Sequence, residues 1–375
     1  MRITDEIARR RAAGEDVISL CAGEPAPRPI TSALEPMGYT GPIGTHDLRE
    51  AIAQHYTSWY GVDLDPARVA VTTGSSGAFL LASVAMFDPG DRVALVSPGY
   101  PAYRNILTAL GVDAIDIATD ASTRFQPTVE LLDETVVRSG RLAGLVVASP
   151  ANPTGTMLDR DDLSALVTWC RANGTRLISD EIYHGIAFPP PGSSDPRGVT
   201  VAEFDDEAVV LNSFSKYWGM TGWRLGWTVL PAGIVPAVEA LASNFALSPP
   251  SPAQQLALSA FGEDAYAERD AVVADFARAR RLFLDAAPRL GWGVAAPADG
   301  AFYYYSELGD QLTRYRDSSA YALALLEHAN VAVVPGNDFD PAHGHRAVRL
   351  SYAAGEAVVA EAIERIVDFQ ARAPH

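Results

Sequence analysis

The seven residues Leu142-Ala-Gly-Leu-Val-Val-Ala148 carry no polar side chain. A strand with one wet face alternates apolar and polar residues, whereas an unbroken apolar run of this length suits a strand covered on both faces. Strands of that kind sit inside parallel sheets, whose crossover helices do the covering. The chain around it keeps the same rhythm. Strands are predicted over 68–73, 92–97, 176–179, 209–212 and 227–230, and helices over 48–59, 78–86, 103–110 and 160–172, with Asp47 placed to cap the first of these or complement its dipole. The predicted fold class is α/β, with a mainly parallel sheet between helices and chemistry collecting where its strands end.

At 375 residues the chain exceeds one typical core, which implies two lobes. The opening 1–11 reads as a charged amphipathic helix, 17–20 as a short strand, and 22–29 as a proline-rich irregular loop. Beyond an alanine-rich helical connector over 252–287 come Phe302-Tyr-Tyr-Tyr305, a helix over 319–328, strands over 331–334 and 348–351, and a closing helix over 356–371. These form a smaller α+β lobe, and the N-terminal segment joins it because a lone helix and loop could not bury their apolar faces unaided. The expected division is a large domain over 31–274 and a small domain made of 1–30 and 275–375. A formal net charge of −17 opposes binding to nucleic acid or to an anionic membrane. Cys21 and Cys170 are too few for a disulfide framework, and no membrane-length apolar run is present, so a soluble protein of the reducing cytoplasm is expected.

Of the 29 Lys and Arg residues, 28 are arginine and one, Lys216, is lysine. Any covalent chemistry by a lysine therefore falls to Lys216. It sits in Asn212-Ser-Phe-Ser-Lys-Tyr-Trp-Gly-Met-Thr-Gly-Trp-Arg224, where Ser213 and Ser215 offer hydroxyls and Arg224 a guanidinium suited to phosphate. Gly74-Ser-Ser-Gly77 reads as a turn between a strand and a helix, where backbone N–H groups can converge on an anion. It lacks the lysine of a nucleotide P-loop and the spacing of a dinucleotide fingerprint. One phosphate site beside one amine points to pyridoxal 5'-phosphate, a phosphate-bearing aldehyde. Asp180, at the end of a predicted strand, is the type of group that keeps a pyridine nitrogen protonated. Tyr103 reads as a packing aromatic, Trp218 and Trp223 as core or interface residues, and His46, His55 and His184 as solvated or hydrogen-bonded rather than metal-bound, so no metal is expected.

Taken in order, Ala22-Gly-Glu-Pro25, Tyr39-Thr with Gly44 and Leu48-Arg49, Thr73 to Ala78, Ser97-Pro-Gly-Tyr-Pro-Ala-Tyr103, Asn152-Pro-Thr-Gly155, Asp180-Glu-Ile-Tyr183, Ser213 to Arg224, Gly300-Ala-Phe-Tyr303 and Arg349-Leu-Ser span nearly the whole chain. This set resembles the motifs of class I/II aminotransferases, fold-type I pyridoxal phosphate enzymes, and most of all bacterial members labelled aspartate or valine–pyruvate aminotransferase. The resemblance implies a seven-stranded sheet in the large domain and a transaminase that moves an amino group between an L-amino acid and a 2-oxo acid by a ping-pong mechanism. Lys216 is implied as the Schiff-base lysine and proton carrier, Asp180 as the partner of the pyridine nitrogen, Tyr183 and Asn152 as donors to the phenolic oxygen, and Tyr100 as the stacking ring. Gly74, Ser75, Ser76, Ser213, Ser215 and Arg224 are implied around the phosphate, with Tyr39 reaching it from the second subunit of a homodimer. Arg349, helped by Gly23 and Asn152, is implied as the clamp on the substrate α-carboxylate. The chain departs from the family's pattern in the short segment 26–38, which bears on side-chain specificity, and Arg28 is a candidate distal cation. A β-eliminating C–S lyase of the same fold and a catalytically silent PLP-binding protein are the alternative readings.

Overall fold

The computed structural model of the protein describes residues 3–21, 23–24, 38–189 and 193–372. Ala22, Arg28 and all of the 26–38 segment but Gly38 lie outside them. A seven-stranded sheet runs in the order Val69–Thr72, Gly226–Val229, Val209–Ser213, Arg176–Asp180, Gly144–Ala148, Arg92–Ser97, Asp113–Ala118. Gly226–Val229 is antiparallel to both its neighbours, and the remaining pairs are parallel. The apolar run that opened the sequence analysis supplies the interior strand Gly144–Ala148, next to the central one. Its Leu145 and Val147 pack on one face with Leu163 and Leu166, while Val146 enters the opposite face with Phe79 and Ile178. Each such side chain stabilises the fold by roughly 1.5–3 kcal/mol on burial.

Local signals place the helices. Thr45, rather than Asp47, caps His46–Tyr60 by accepting the Leu48 N–H, which leaves Asp47 in the first turn to complement the dipole. Asp159 caps Arg160–Asn173, and that helix ends on Gly174 in the left-handed region. The strand and helix predictions over 48–59, 92–97 and 160–172 match elements within a residue or two. Two others are corrected, and three elements were not predicted. Gly74-Ser-Ser-Gly77 is the first turn of the helix Gly74–Met86, because the strand before it stops at Thr72 and one residue suffices to turn the chain. The 252–287 connector divides into Ser251–Leu258 and Glu263–Leu290 around an extended Gly262. Val129–Ser139 and Val235–Phe245 are helices that were not predicted. The strand Asp113–Ala118 was missed because Asp113 and Asp116 break its apolar pattern, as befits the sheet's edge.

The predicted strand 331–334 serves two sheets. Val331–Ala332 pairs in parallel with Ile18–Ser19, and Val334–Pro335 pairs with Ala347–Ser351, which in turn pairs with Tyr303–Glu307. Ile7 of the first helix, Ile3–Ala12, packs with Val17, Leu326 and Ala332. Among the described residues, no helix is long and apolar enough to cross a membrane.

Candidate active site

Parallel strands bring their carboxyl ends to one edge. Asp180 ends its strand opposite Leu211, while Ser213 and Thr72, each ending a strand, both face Gly226. A cavity of about 810 Å³ opens at this edge, and Asp180, Lys216, Arg224, Asn152, Tyr183 and Arg349 stand in its wall.

Lys216 lies three residues beyond the strand Val209–Ser213, and its Nζ donates to the Gly23 carbonyl at 2.5 Å. The amine also lies 5.6 Å from the centre of the Tyr183 ring. Burial pushes its pKa down to about 8; the Glu24 and Asp180 carboxylates oppose that shift and the Arg224 and Arg349 guanidinium groups add to it. Asp180 is pushed up to about 6 by burial, against the Tyr103 hydroxyl, the Ile182 N–H and the Lys216 charge. A lysine low enough to lose its proton near neutrality thus shares a cavity with a carboxylate still ionised there.

At the other end of the cavity the helix Gly74–Met86 begins with its first N–H groups uncapped by the Thr73 side chain. Gly74 has φ +71°, and a Cβ built on it would lie 2.6 Å from Arg224 Nη2; one on Gly226 would lie 2.8 Å from the Ser75 nitrogen. Both glycines therefore let the helix start, the strand and the guanidinium meet. Arg224 is itself left-handed (φ 53°) and donates to the Thr221 carbonyl at 3.0 Å. Ser75, Ser76 and Ser215 line the cavity. Ser213 does not: its hydroxyl donates to the Leu225 carbonyl at 3.3 Å and accepts the Ser215 N–H at 3.0 Å, so it shapes the loop.

Arg349, in the strand Ala347–Ser351, lies between the Tyr303 and Phe339 rings, 4.5 and 4.8 Å from their centres. Its Nη1 donates to Asn152 Oδ1 and its Nη2 to the Cys21 carbonyl, each at 3.0 Å. The buried Nε has no hydrogen-bond partner among the described residues, so the guanidinium keeps an unused donor. Gly23 and Asn152 stand in the same wall. Tyr183 and Tyr303 share a hydrogen bond between their hydroxyls at 2.7 Å. Tyr100 is partly exposed in the cavity wall, and Tyr39, 82% exposed, is absent from it.

Trp218 is buried in the core, and Trp223 packs partly buried against that core while also lining the cavity. His55 and His184 are buried and bonded to the Tyr266 and Tyr60 hydroxyls at 2.8 and 2.7 Å, and His46 is exposed beside Asp47 and Glu50. Sequence reasoning gave no role to Tyr103, Tyr303 or Glu24, all of which face the cavity. Their signal was membership of the quoted motifs, which does not reveal direction.

A sequence model of the family "Aminotransferase class I and II" matches residues 15–366. The chain belongs to the class I and II aminotransferases. The aminotransferase is 45% identical over 368 residues to the valine–pyruvate aminotransferase of Mycobacterium tuberculosis, covering 96% of this chain and 92% of that protein. It is 32% identical over 366 residues to an aspartate aminotransferase of Thermotoga maritima, covering 95% and 92%. Among solved structures, an aminotransferase from Mycobacterium tuberculosis superposes with a TM-score of 0.90 at 43% identity, covering 98% of this chain and 94% of that one. The aspartate aminotransferase of Thermus thermophilus with maleate gives 0.86 at 30% identity, covering 98% and 95%. The resemblance read from the motifs is thus borne out, and so is the α/β fold with its seven-stranded sheet.

Proposed function

We propose that the aminotransferase uses pyridoxal 5'-phosphate to move an amino group between an L-amino acid and a 2-oxo acid in a ping-pong cycle, with Lys216 as covalent anchor and proton carrier. The observation that carries this reading is the buried Lys216 amine, with its lowered pKa, in one cavity with the Asp180 carboxylate and two guanidinium groups. The space that Gly74 leaves for Arg224 supports a phosphate at that end. When bound, the cofactor supplies an aldehyde for amine exchange and an electron sink for the substrate Cα–H bond.

The remaining work falls to the chain. Arg224, Ser75, Ser76, Ser215 and the N-terminus of the helix Gly74–Met86 hold the phosphate. Asp180 faces the ring nitrogen, Tyr183 and Asn152 donate to the phenolic oxygen, and Tyr100 covers the ring. Arg349 grips the α-carboxylate through its free donor capacity, helped by Gly23 and Asn152, and so orients the Cα–H toward Lys216. Lys216 Nζ would take that proton and hold it for return in the same 1,3-proton shift. Ser213 serves by holding the Ser215 N–H rather than by touching phosphate.

The same proposal makes the protein a cytoplasmic homodimer, with the exposed Tyr39 completing the partner subunit's site. It divides the chain into a large domain over 31–274 and a small one of 1–30 with 275–375, supported by the pairing of Ile18–Ser19 with Val331–Ala332. Valine and pyruvate are the first donor and acceptor to try, since the 45% identical relative is named for them. In single-turnover half-reactions over a panel of amino acids without keto acid, the visible absorption of the lysine-bound cofactor should bleach once and stop. Continued release of pyruvate would establish the lyase instead, and no bleaching with any amino acid would establish a silent binding protein.

A further inference from the structure

We propose that Tyr103 is a positioning residue for this reaction: its hydroxyl locks the Asp180 carboxylate in the orientation that presents it to the cofactor's ring nitrogen. This rests on the reading above that Asp180 faces that nitrogen. Tyr103 sits in the first turn of the helix Pro101–Ala109, and its ring is buried. Its hydroxyl donates to Asp180 Oδ2, while Asp180 Oδ1 accepts the Ile182 N–H at 3.1 Å. Each carboxylate oxygen therefore has one donor from the protein, and rotating the group would break both bonds. An ionised carboxylate has about four lone-pair sites, so two donors leave the others to point into the cavity.

The phenol is itself held. Its ring packs against Phe79, with centres 5.1 Å apart, and stands edge-on to Tyr100 at 5.5 Å and 83°. One side chain thus fixes the carboxylate and braces Tyr100, the ring assigned to cover the cofactor. A donor to Asp180 also favours its ionised form, which burial opposes and which a protonated pyridine requires. The Ile182 N–H is set by the backbone turn that follows the strand, whereas the Tyr103 hydroxyl can be removed without touching the chain path.

The test compares equilibrium affinities for pyridoxal phosphate and for its carbocyclic analogue, in which C–H replaces the ring nitrogen. Wild type, Tyr103→Phe, Asp180→Asn and the double variant are measured. Tyr103→Phe is expected to weaken pyridoxal phosphate binding about tenfold, the worth of one hydrogen bond to a charged group, and the analogue by less than about twofold. In the Asp180→Asn background it should add nothing. With 15N in the cofactor ring, the bound resonance should move from pyridinium-like toward neutral pyridine in Tyr103→Phe. Placing p-aminophenylalanine at position 103 keeps the ring and returns a weaker donor, so it should recover part of the loss; it also carries the comparison should Tyr103→Phe lose its native circular dichroism. Equal losses for both ligands, or an unchanged affinity and 15N resonance, would overturn the role of Tyr103. A wild type that binds both ligands alike would sink the reading of Asp180 itself, and this proposal with it.

Discussion

Gly74 and Arg224 approach so closely that a single methyl group on the glycine would lie 2.6 Å from Arg224 Nη2. The strand Val69–Thr72 and the loop before Gly226–Val229 converge there, and the positive φ of Gly74 begins the helix whose N–H groups face the cavity. Gly74→Ala adds both a steric conflict with the guanidinium and the strain of a left-handed alanine, roughly 1–2 kcal/mol for the backbone alone. The expected result is at least about a tenfold loss of pyridoxal phosphate affinity, about 1.4 kcal/mol, measured by equilibrium dialysis. Gly77→Ala, three residues beyond the helix start and in ordinary contact only with Thr72 and Thr73, should leave affinity unchanged. Equal behaviour of the two variants would disconnect Gly74 from the phosphate.

Lys216 titrates at about 8, lowered chiefly by burial. A nucleophilic amine must be unprotonated, so the rate of cofactor uptake by the cofactor-free protein should rise about tenfold from pH 7 to a plateau above pH 9. The sign for stability follows from linkage. The folded state binds fewer protons than the unfolded state between about 8 and the ordinary lysine value of 10.5, so this group adds stability as pH rises through that window. Lys216→Met should remove both the uptake and its pH dependence. Borohydride reduction of the holoenzyme followed by peptide mapping should modify Lys216 and no other residue.

The sheet was legible because the apolar run from Leu142 to Ala148 suits a strand covered on both faces, and the alternation of strands and helices around it supplies the covering. The motifs likewise pointed to Lys216, Asp180, Arg224 and Arg349, which the structure brings into the wall of one cavity. What stayed hidden depends on direction. Ser213 and Ser215 are equivalent on paper, yet the loop turns one hydroxyl into its own backbone and leaves the other in the cavity. Tyr103 reads as a packing ring until the helix start aims its hydroxyl at Asp180. Edge strand Asp113–Ala118 carries two aspartates in six residues because water reaches it, and periodicity alone cannot separate that from a loop.

Arg349 is held by Asn152, by the Cys21 carbonyl and between two aromatic rings, with its Nε still unsatisfied. A planar fork can keep those contacts and still take a carboxylate with two parallel bonds, whereas an ammonium cannot. Arg349→Lys is therefore expected to lower kcat/KM for amino acids about 100-fold, roughly 2.7 kcal/mol, with most of the loss in KM. Cofactor affinity, measured without substrate, should stay within about twofold of wild type if, as proposed, the residue grips substrate and not phosphate. A comparable loss of cofactor would place Arg349 at the wrong ligand.

Glu181, next to the proposed ring-nitrogen partner, faces away from the cavity into the core. Its Oε1 accepts from Ser179 Oγ at 2.9 Å and from the Val201 N–H at 2.8 Å, but Oε2 is buried with no hydrogen-bond partner among the described residues. Burial raises its pKa to about 8, so the acid is largely neutral at pH 7. His55 and His184 are pushed the other way by burial, to about 3, and oppose it only below the ordinary histidine value of 6.5. Asp180, at about 6, is already ionised above that point. Between pH 6.5 and 8 the folded state thus binds one more proton at Glu181 than the unfolded state does, and stability must fall as pH rises. The fall should be about 1.5 kcal/mol across that window, from about 1.4 kcal/mol per pH unit that tapers as pH nears 8. Denaturant unfolding of the cofactor-free protein at pH 6.5 and 8.0 measures it. Glu181→Gln, which keeps the shape and removes the proton, should flatten the difference to within about 0.5 kcal/mol; an undiminished fall in that variant would assign the titration to another group.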